Sequence, residues 1–417
     1  MRDNILEKLI KNETRRQNET LNLIPSENIV SADVLRALGS VFTNKYAEGY
    51  PAARYYGGNE VVDEVENLCR KRALELFFRQ PADRKNWSVN VQPYSGSPAN
   101  LAVYLALVPQ GEKIMGMRLD MGGHLTHGHK VSATGKFWTP VYYGVDQKTE
   151  LLDYKEILRI ARREKPKIIV CGFTAYPRII DFKKFRKIAN VVGAYLMVDM
   201  SHFAGLVAGS AYPSPFKYAD VVTTTTHKTL RGPRGAMIFS KNEKLKGKNE
   251  KLTIAKSIDR AVFPGLQGGP HVNQIAATAV ALKEAASPAF KKYAHQIVRN
   301  ARALAEELKK LGWRVISGGT DTHLLLVDVW SRGITGSEAS ARLEAQGIIV
   351  NKNTIPYDSR PPMDPSGIRL GTPTLTTRGM KEKEMKEVAR LINGILSNGK
   401  DIKREVKKLC KRFPSGR

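Results

Sequence analysis

Residues 168–173 form an unbroken apolar run, and Phe182, Phe185, Ile188, Ala189 and Val192 follow it at helical spacing. A strand that is apolar at every position must be covered on both faces, which happens chiefly in parallel sheets wrapped by crossover helices. The pair therefore predicts a βαβ unit. Further short strands are predicted over 88–92, 194–198, 220–226 and 236–239, each bounded by polar or glycine-bearing turns. Helices are predicted through Val61, Val65, Leu68, Cys69 and Leu76 and over 98–107. An open, mostly parallel sheet with helices on both sides is the economical assembly. Past Ala285 the pattern changes to a long helix over 290–311, a strand over 324–329, a helix over 337–346, a strand over 348–350 and a final helix from Lys381. That is a second, smaller α+β domain. The reading divides the chain into an N-terminal arm (1–30), a large α/β domain (31–284) and a small α+β domain (285–417) that ends in a basic helix.

A chain of 417 residues, 42% of them hydrophobic, is long enough for two such domains. No apolar stretch reaches the roughly 18 residues a membrane-spanning helix needs. The first 20 residues mix Asp3, Glu7, Glu13 and Glu19 with their bases and lack an apolar secretory core, so a cytoplasmic protein is expected. Cys69, Cys171 and Cys410 are far apart, which suits a reducing compartment and argues against a disulfide framework. The net charge of +27 attracts anions of any kind and says nothing about fold. Its densest stretches are 155–187, 241–256 and the tail, with Lys400, Lys403, Arg404, Lys407, Lys408, Lys411 and Arg412. No aromatic interleaving suggests an RNA-stacking platform, and solvated helix faces are the favoured reading over nucleic-acid binding.

Ligands of open α/β sheets gather outside the carboxyl ends of the strands, so polar residues there are the candidates for chemistry. Asp199 closes the strand 194–198, and a carboxylate so placed needs a cationic partner: a structural ion pair, a metal or a protonated heterocycle. The next strand ends in His227 and Lys228, followed by Arg231 and Arg234. Crowded by an imidazole and two guanidiniums, Lys228 would lose its proton easily, as Schiff-base chemistry requires. Alone, such a lysine is more often a surface residue. Paired with Asp199, it offers pyridoxal phosphate (PLP) an amine for its aldehyde and an acid for its pyridine nitrogen. Tyr94, Ser95, Gly96, Ser97 and Pro98 sit between a strand and a helix, where amides, hydroxyls and the helix dipole can hold a phosphate, although they could equally be an N-cap. Residues 265–269 make a second glycine-rich loop. His124, His127 and His129 lack the spacing of a helical zinc site, so no metal is expected; a ring stacked on a flat cofactor is the preferred reading.

Several contiguous strings now resemble one family in its own order. They are PSEN from Pro25, NKYAEGY from Asn44 with RYYGG from Arg54, GGHLTHG from Gly122, VDM from Val198, and TTTTHKTL from Thr223 with GPRG from Gly232. The chain resembles serine hydroxymethyltransferase from Leu21 to its final helix. The resemblance implies the PLP fold-type I architecture, a large domain with a mostly parallel sheet of the seven-stranded type and a smaller C-terminal domain. It also implies a homodimer, or a tetramer built from it, with each active site shared between subunits.

Carried over residue by residue, the resemblance implies that Lys228 bears the cofactor, Asp199 binds its pyridinium nitrogen and His124 stacks on its ring. Ser95, Gly96 and Ser97 would hold the phosphate, with Tyr46 and Gly269 from the other subunit. Thr174 and His202 would approach the ring's phenolic oxygen and the substrate. Arg369, read as part of a turn in the small domain, would clamp the amino-acid carboxylate beside Ser26. His227 and Tyr56 would join the catalytic set, Tyr56 also touching substrate. Glu48 from the neighbouring subunit would handle the hydroxyl proton, with an interface raising its pKa. Leu119, Gly123, His124, Leu125, Asn353 and Glu48 would meet tetrahydrofolate. The implied reaction moves the hydroxymethyl carbon of serine to tetrahydrofolate, giving glycine and 5,10-methylenetetrahydrofolate. The sequence departs from the family at Leu266, at Asp120 and Met121, and over 357–364. Two further readings stand beside it: a folate-independent aldolase of β-hydroxy amino acids such as threonine, and RNA binding through the tail.

Overall fold

A computed structural model describes residues 2–246 and 252–415. Residues 247–251 of the base-rich 241–256 stretch, and residues 1, 416 and 417 of the predicted arm and small domain, lie outside the described residues. The strands of the two main sheets are numbered here in chain order. The first sheet holds β1 (Trp87–Asn90), β2 (Lys113–Met117), β3 (Thr139–Tyr143), β4 (Ile168–Cys171), β5 (Tyr195–Asp199), β6 (Val221–Thr225) and β7 (Ala236–Lys241). Its seven strands run in the order β1-β7-β6-β5-β4-β2-β3. Only β7 is antiparallel to its neighbours.

Alternate residues of these strands feed two separate cores. Ile169, Cys171, Leu196, Val198 and Val222 join a large cluster on one face, while Ile168, Val170, Tyr195, Met197 and Val221 join a second on the other. Every residue of β4, β5 and β6 is buried; β4 accordingly reads as a continuous apolar run, while β5 closes on Asp199 and β6 buries Thr223, Thr224 and Thr225. β2 and β3 are additional strands with no counterpart in the sequence reading.

The second sheet is antiparallel and four-stranded: β8 (Arg314–Val315), β9 (Leu324–Asp328), β10 (Asn351–Asn353) and β11 (Gly367–Gly371), in the order β8-β9-β11-β10. Arg369 therefore sits mid-strand in β11, opposite Leu326 and Asn351, and not in a turn. Glycines at both ends of the strand gave it the look of a turn, but its backbone is paired on both sides.

The long helix Pro288–Lys310 begins just past the expected boundary at 284/285 and packs against both cores. Phe290, Ala294 and Ile297 pack with the first core, and Leu304, Ala305 and Leu308 with the core of the second sheet. The N-terminal arm is anchored in the second core as well: Leu21 and Leu23 are fully buried there, and Leu21–Asn22 pairs in parallel with Ile348–Ile349. The basic tail is a separate helix, Lys403–Arg412, that buries Val406, Leu409 and Cys410 in the same core. Its Lys407 pairs with Glu19 at 2.9 Å, and Arg412 with Glu387 at 3.3 Å and Glu384 at 3.6 Å. It is a structural element with part of its charge neutralised. Cys69, Cys171 and Cys410 are all free and buried, and no helix among the described residues is long and apolar enough to cross a membrane.

Candidate active site

The carboxyl ends of β1, β4, β5 and β6 open into one cavity of about 540 Å³. Ser95, Gly96, Ser97, His124, Thr174, Asp199, His202, His227 and Lys228 line it, and the second sheet closes it with Arg369. The N-terminal segment adds Ser26 and Glu27. Two glycines make this convergence sterically possible. Gly172, just past β4 at φ +105°, lies so close to β5 that a Cβ would fall 1.9 Å from the Asp199 carbonyl oxygen. At Gly96 a Cβ would meet Thr225 Cγ2 at 2.7 Å.

Asp199 is 8% exposed, and burial alone would raise its pKa. The surrounding donors reverse that. His127 Nε2 lies 3.1 Å and Asn100 Nδ2 2.9 Å from its Oδ2, while the Ser201 amide donates to Oδ1 at 3.0 Å. The carboxyl is held well below the usual carboxylate range and stays ionised. The His127 tautomer follows from its second nitrogen: Nδ1 accepts from the His124 amide at 3.4 Å, so Nε2 carries the proton and donates to Asp199. The partners of Asp199 are thus the neutral donors Asn100 and His127, and not the cationic group its burial had led one to expect. They come from the helix Gly96–Leu107 and from the histidine-rich loop, so no local signal links them to Asp199.

Lys228 follows β6. Burial lowers its pKa to about 8, aided by the charges of Arg369 and Arg234 and opposed by Asp199. Arg369 thus takes the place expected for Arg231, which instead reaches Glu284 at 3.8 Å and lies over the Tyr293 ring. Among the described residues no carboxylate pairs with the side chain of Lys228 or Arg369. Arg369 is fixed by its Nε, which donates to Asn351 Oδ1 at 3.1 Å, and by Nη1, which donates to the Thr174 carbonyl at 2.6 Å. Burial lowers its pKa to about 10, so it remains a cation at neutral pH. The Thr174 hydroxyl donates to the Gly123 carbonyl at 2.6 Å, so its backbone is the part tied to Arg369.

The histidines of the loop separate. His124 lines the main cavity, its pKa lowered to about 4 by burial and by His127. His129 lines a neighbouring cavity of about 700 Å³ with Leu119, Gly123, Asn353, Arg118, Asp120, Lys130 and Lys352. Thr174 borders both cavities, so they adjoin. Leu125 lines neither and is 44% exposed. Asp120 forms a bidentate pair with Arg118 at the rim, at 2.7 and 3.0 Å.

Glu48, Tyr46, Tyr56 and Gly269 lie outside the main cavity of their own chain. They form a patch of their own. Tyr46 and Tyr56 meet edge to face at 5.1 Å, Tyr46 Oη lies 3.4 Å from Glu48 Oε1, and Tyr94 Oη donates to the Gly269 carbonyl at 2.7 Å. Within one chain the 265–269 loop belongs to this patch, with Gly268 and Gly269 beside Glu48 and Tyr46. Arg54 holds the patch from beneath. Its guanidinium donates to the carbonyls of Ala47 and Gly49, on either side of Glu48, and pairs with Asp63 and the buried Glu66.

This sheet order, with a lysine past one strand and a buried carboxylate closing its neighbour, defines the fold-type I class of PLP-dependent enzymes. Comparison with known proteins narrows the class. The family model described as serine hydroxymethyltransferase matches residues 1–392. Two relatives named serine hydroxymethyltransferase, from Koribacter versatilis and Acidobacterium capsulatum, are each 55% identical over 411 residues, covering 97% of this chain and 92% of theirs. The chain belongs to the serine hydroxymethyltransferase family.

Proposed function

We propose that this protein is a PLP-dependent glycine hydroxymethyltransferase of the cytoplasm, which moves the hydroxymethyl carbon of serine to tetrahydrofolate and yields glycine. The observation that carries the proposal is the convergence of Lys228, Asp199 and Arg369 on one cavity, with neither Lys228 nor Arg369 in an ion pair with a carboxylate among the described residues. The lining fits the cofactor. The helix Gly96–Leu107 begins at Ser95, whose side chain makes no capping bond, so Ser95, Ser97 and the first-turn amides are available to a phosphate. Thr225 Oγ1 and His227 Nδ1 are buried with no partner among the described residues, which suits a polar ligand.

When bound, PLP supplies an aldehyde for amines and a pyridine ring that withdraws electrons from the substrate Cα. Lys228 would carry it, and the lowered pKa makes its amine available near neutral pH. Asp199, kept ionised by its donors, would hold a proton on the ring nitrogen. His124 would cover the ring face. Arg369 would grip the serine carboxylate beside Ser26, which orients the hydroxymethyl group for cleavage. The adjoining cavity with Leu119, Gly123 and Asn353 is assigned to tetrahydrofolate, and Lys130 and Lys352 give it a positive rim suited to acidic glutamyl groups.

A homodimer completes the site. Beside the Glu48 patch, Tyr55, whose amide donates to the Glu48 carbonyl at 3.1 Å, is exposed, as are Leu266 in the 265–269 loop and Leu105 next to Gly265, apolar surface that a second copy would cover. Glu48 of that copy would then move the hydroxyl proton of serine, with Tyr46, Tyr56 and Gly269 beside it. The test is serine-to-glycine conversion measured with and without tetrahydrofolate, with threonine cleavage run alongside. Strong folate stimulation is expected. Equal rates with and without folate, together with efficient threonine cleavage, would replace the transferase by an aldolase.

A further inference from the structure

His202 and His323 form a pair that joins the two sheets. His202 follows β5 and lines the main cavity, and His323 immediately precedes β9. They are 4% and 1% exposed. His202 Nδ1 lies 3.2 Å from His323 Nε2, with ring centroids 5.4 Å apart and planes tilted by 31°.

A bond between two ring nitrogens needs one proton and one lone pair. Both imidazoles are neutral at physiological pH, because burial and the cations of Lys228 and Arg369 oppose a second proton on either ring. Each ring therefore carries one N–H, and only two arrangements are possible. In the first, His202 donates from Nδ1, and His323 must then carry its proton on Nδ1. That atom is buried and has no partner among the described residues, so the arrangement orphans an N–H. In the second, His323 donates from Nε2, and the atom left without a partner is only an acceptor. Buried orphan N–H groups are the rarer and costlier of the two. The second arrangement also fixes His202, which must carry its proton on Nε2. That nitrogen makes no hydrogen bond among the described residues and is not one of the buried unpartnered atoms, so it faces the cavity.

We propose that His323 is a positioning residue: by donating to Nδ1 it holds His202 in one tautomer and presents His202 Nε2–H to the cavity as a neutral hydrogen-bond donor for an anionic ligand oxygen. This rests on the proposed function for the identity of that oxygen, a substrate carboxylate or the cofactor's phenolate. It makes His202 a donor and not a proton acceptor at that nitrogen. Of the groups that line the cavity with it, Lys228, Arg369 and His124 oppose its protonation, and the carboxyl groups there are Asp199 and Glu27.

The test is nitrogen NMR of the holoenzyme labelled at its eight histidines, with His202 assigned by substitution. The expected result is a protonated Nε2 and a bare, hydrogen-bonded Nδ1 on His202, unchanged across neutral pH. A bare His202 Nε2, or a proton on His202 Nδ1, overturns the proposal. Kinetics supply a second readout. His323→Leu should lower kcat/KM for serine about two- to tenfold, the worth of one hydrogen bond, and leave the KM for tetrahydrofolate unchanged. His323→Gln, which can donate from the same place, should recover most of the loss. Equal losses in the two variants, or no loss in His323→Leu, would remove the positioning role. The NMR result does not depend on turnover, so a protein with the expected tautomer but no serine activity would refute the proposed function and leave this inference standing.

Discussion

Replacing Arg369 tests how the cavity selects an amino acid. Its guanidinium has five N–H donors. Nε–H is spent on Asn351 and one Nη1–H on the Thr174 carbonyl, which fixes the plane and leaves the remaining donors for a ligand. A carboxylate gripped through two charge-assisted bonds, each worth about 1.5–3 kcal/mol, gains about 3–6 kcal/mol. Arg369→Ala should therefore lower kcat/KM for serine by roughly 10²- to 10⁴-fold, at about 1.4 kcal/mol per tenfold. Arg369→Lys keeps the charge but loses the fork and its anchors, so about one bond is lost and the fall should be roughly 10- to 10²-fold. The assay is serine saturation at fixed tetrahydrofolate, with cofactor absorbance recorded on each variant to confirm that it remains bound. A kcat/KM within threefold of the parent in Arg369→Ala would show that the carboxylate is held elsewhere.

Asp199→Asn keeps the shape of the cavity but removes the charge that holds a proton on the ring nitrogen. It should retain cofactor and lose most turnover, at least about 10²-fold on the scale of losing one preorganised electrostatic partner; near-normal activity would refute the role. The Lys228 pKa of about 8 predicts a pH dependence for cofactor capture by the cofactor-free protein. Because the free amine is the reactive form, the rate followed by visible absorbance should rise through pH 8 and level off above it, whereas a rise continuing toward pH 10 would mean that burial does not act on this amine. Leu409→Ala removes a side chain 1% exposed in the core of the second sheet. It should cost about 2–5 kcal/mol in denaturant unfolding, and a cost under about 0.5 kcal/mol would return the tail to the status of a solvated appendage.

What was legible in the sequence follows from burial. β4, β5 and β6 are covered on both faces; β4 announced itself as an apolar run and β5 and β6 as short strands bounded by turns, and the residues past their ends were identifiable as soon as the strands were. β3 is an edge strand with mixed burial, and β2 contains Gly116, where a Cβ would lie 2.4 Å from the His127 carbonyl oxygen; neither produced a pattern. β11 was hidden by its bracketing glycines. The need for a partner to Asp199 was readable from the cost of burying a carboxylate, but its identity was not, because Asn100 lies 99 residues and His127 72 residues away along the chain. The tail shows the opposite lesson. Val406, Leu409 and Cys410 at helical spacing were a visible apolar stripe, overshadowed by the surrounding charge. The Glu48 patch could be reached only through family resemblance, since within one chain its residues do not line the cavity they are proposed to serve.

The most direct test of the central claim is borohydride reduction of the purified protein reconstituted with PLP, followed by peptide mass mapping. The account predicts loss of a yellow chromophore and a phosphopyridoxyl group on Lys228, abolished in Lys228→Ala. A protein that stays colourless after reconstitution, or a label distributed over other lysines with Lys228 unmodified, would contradict it.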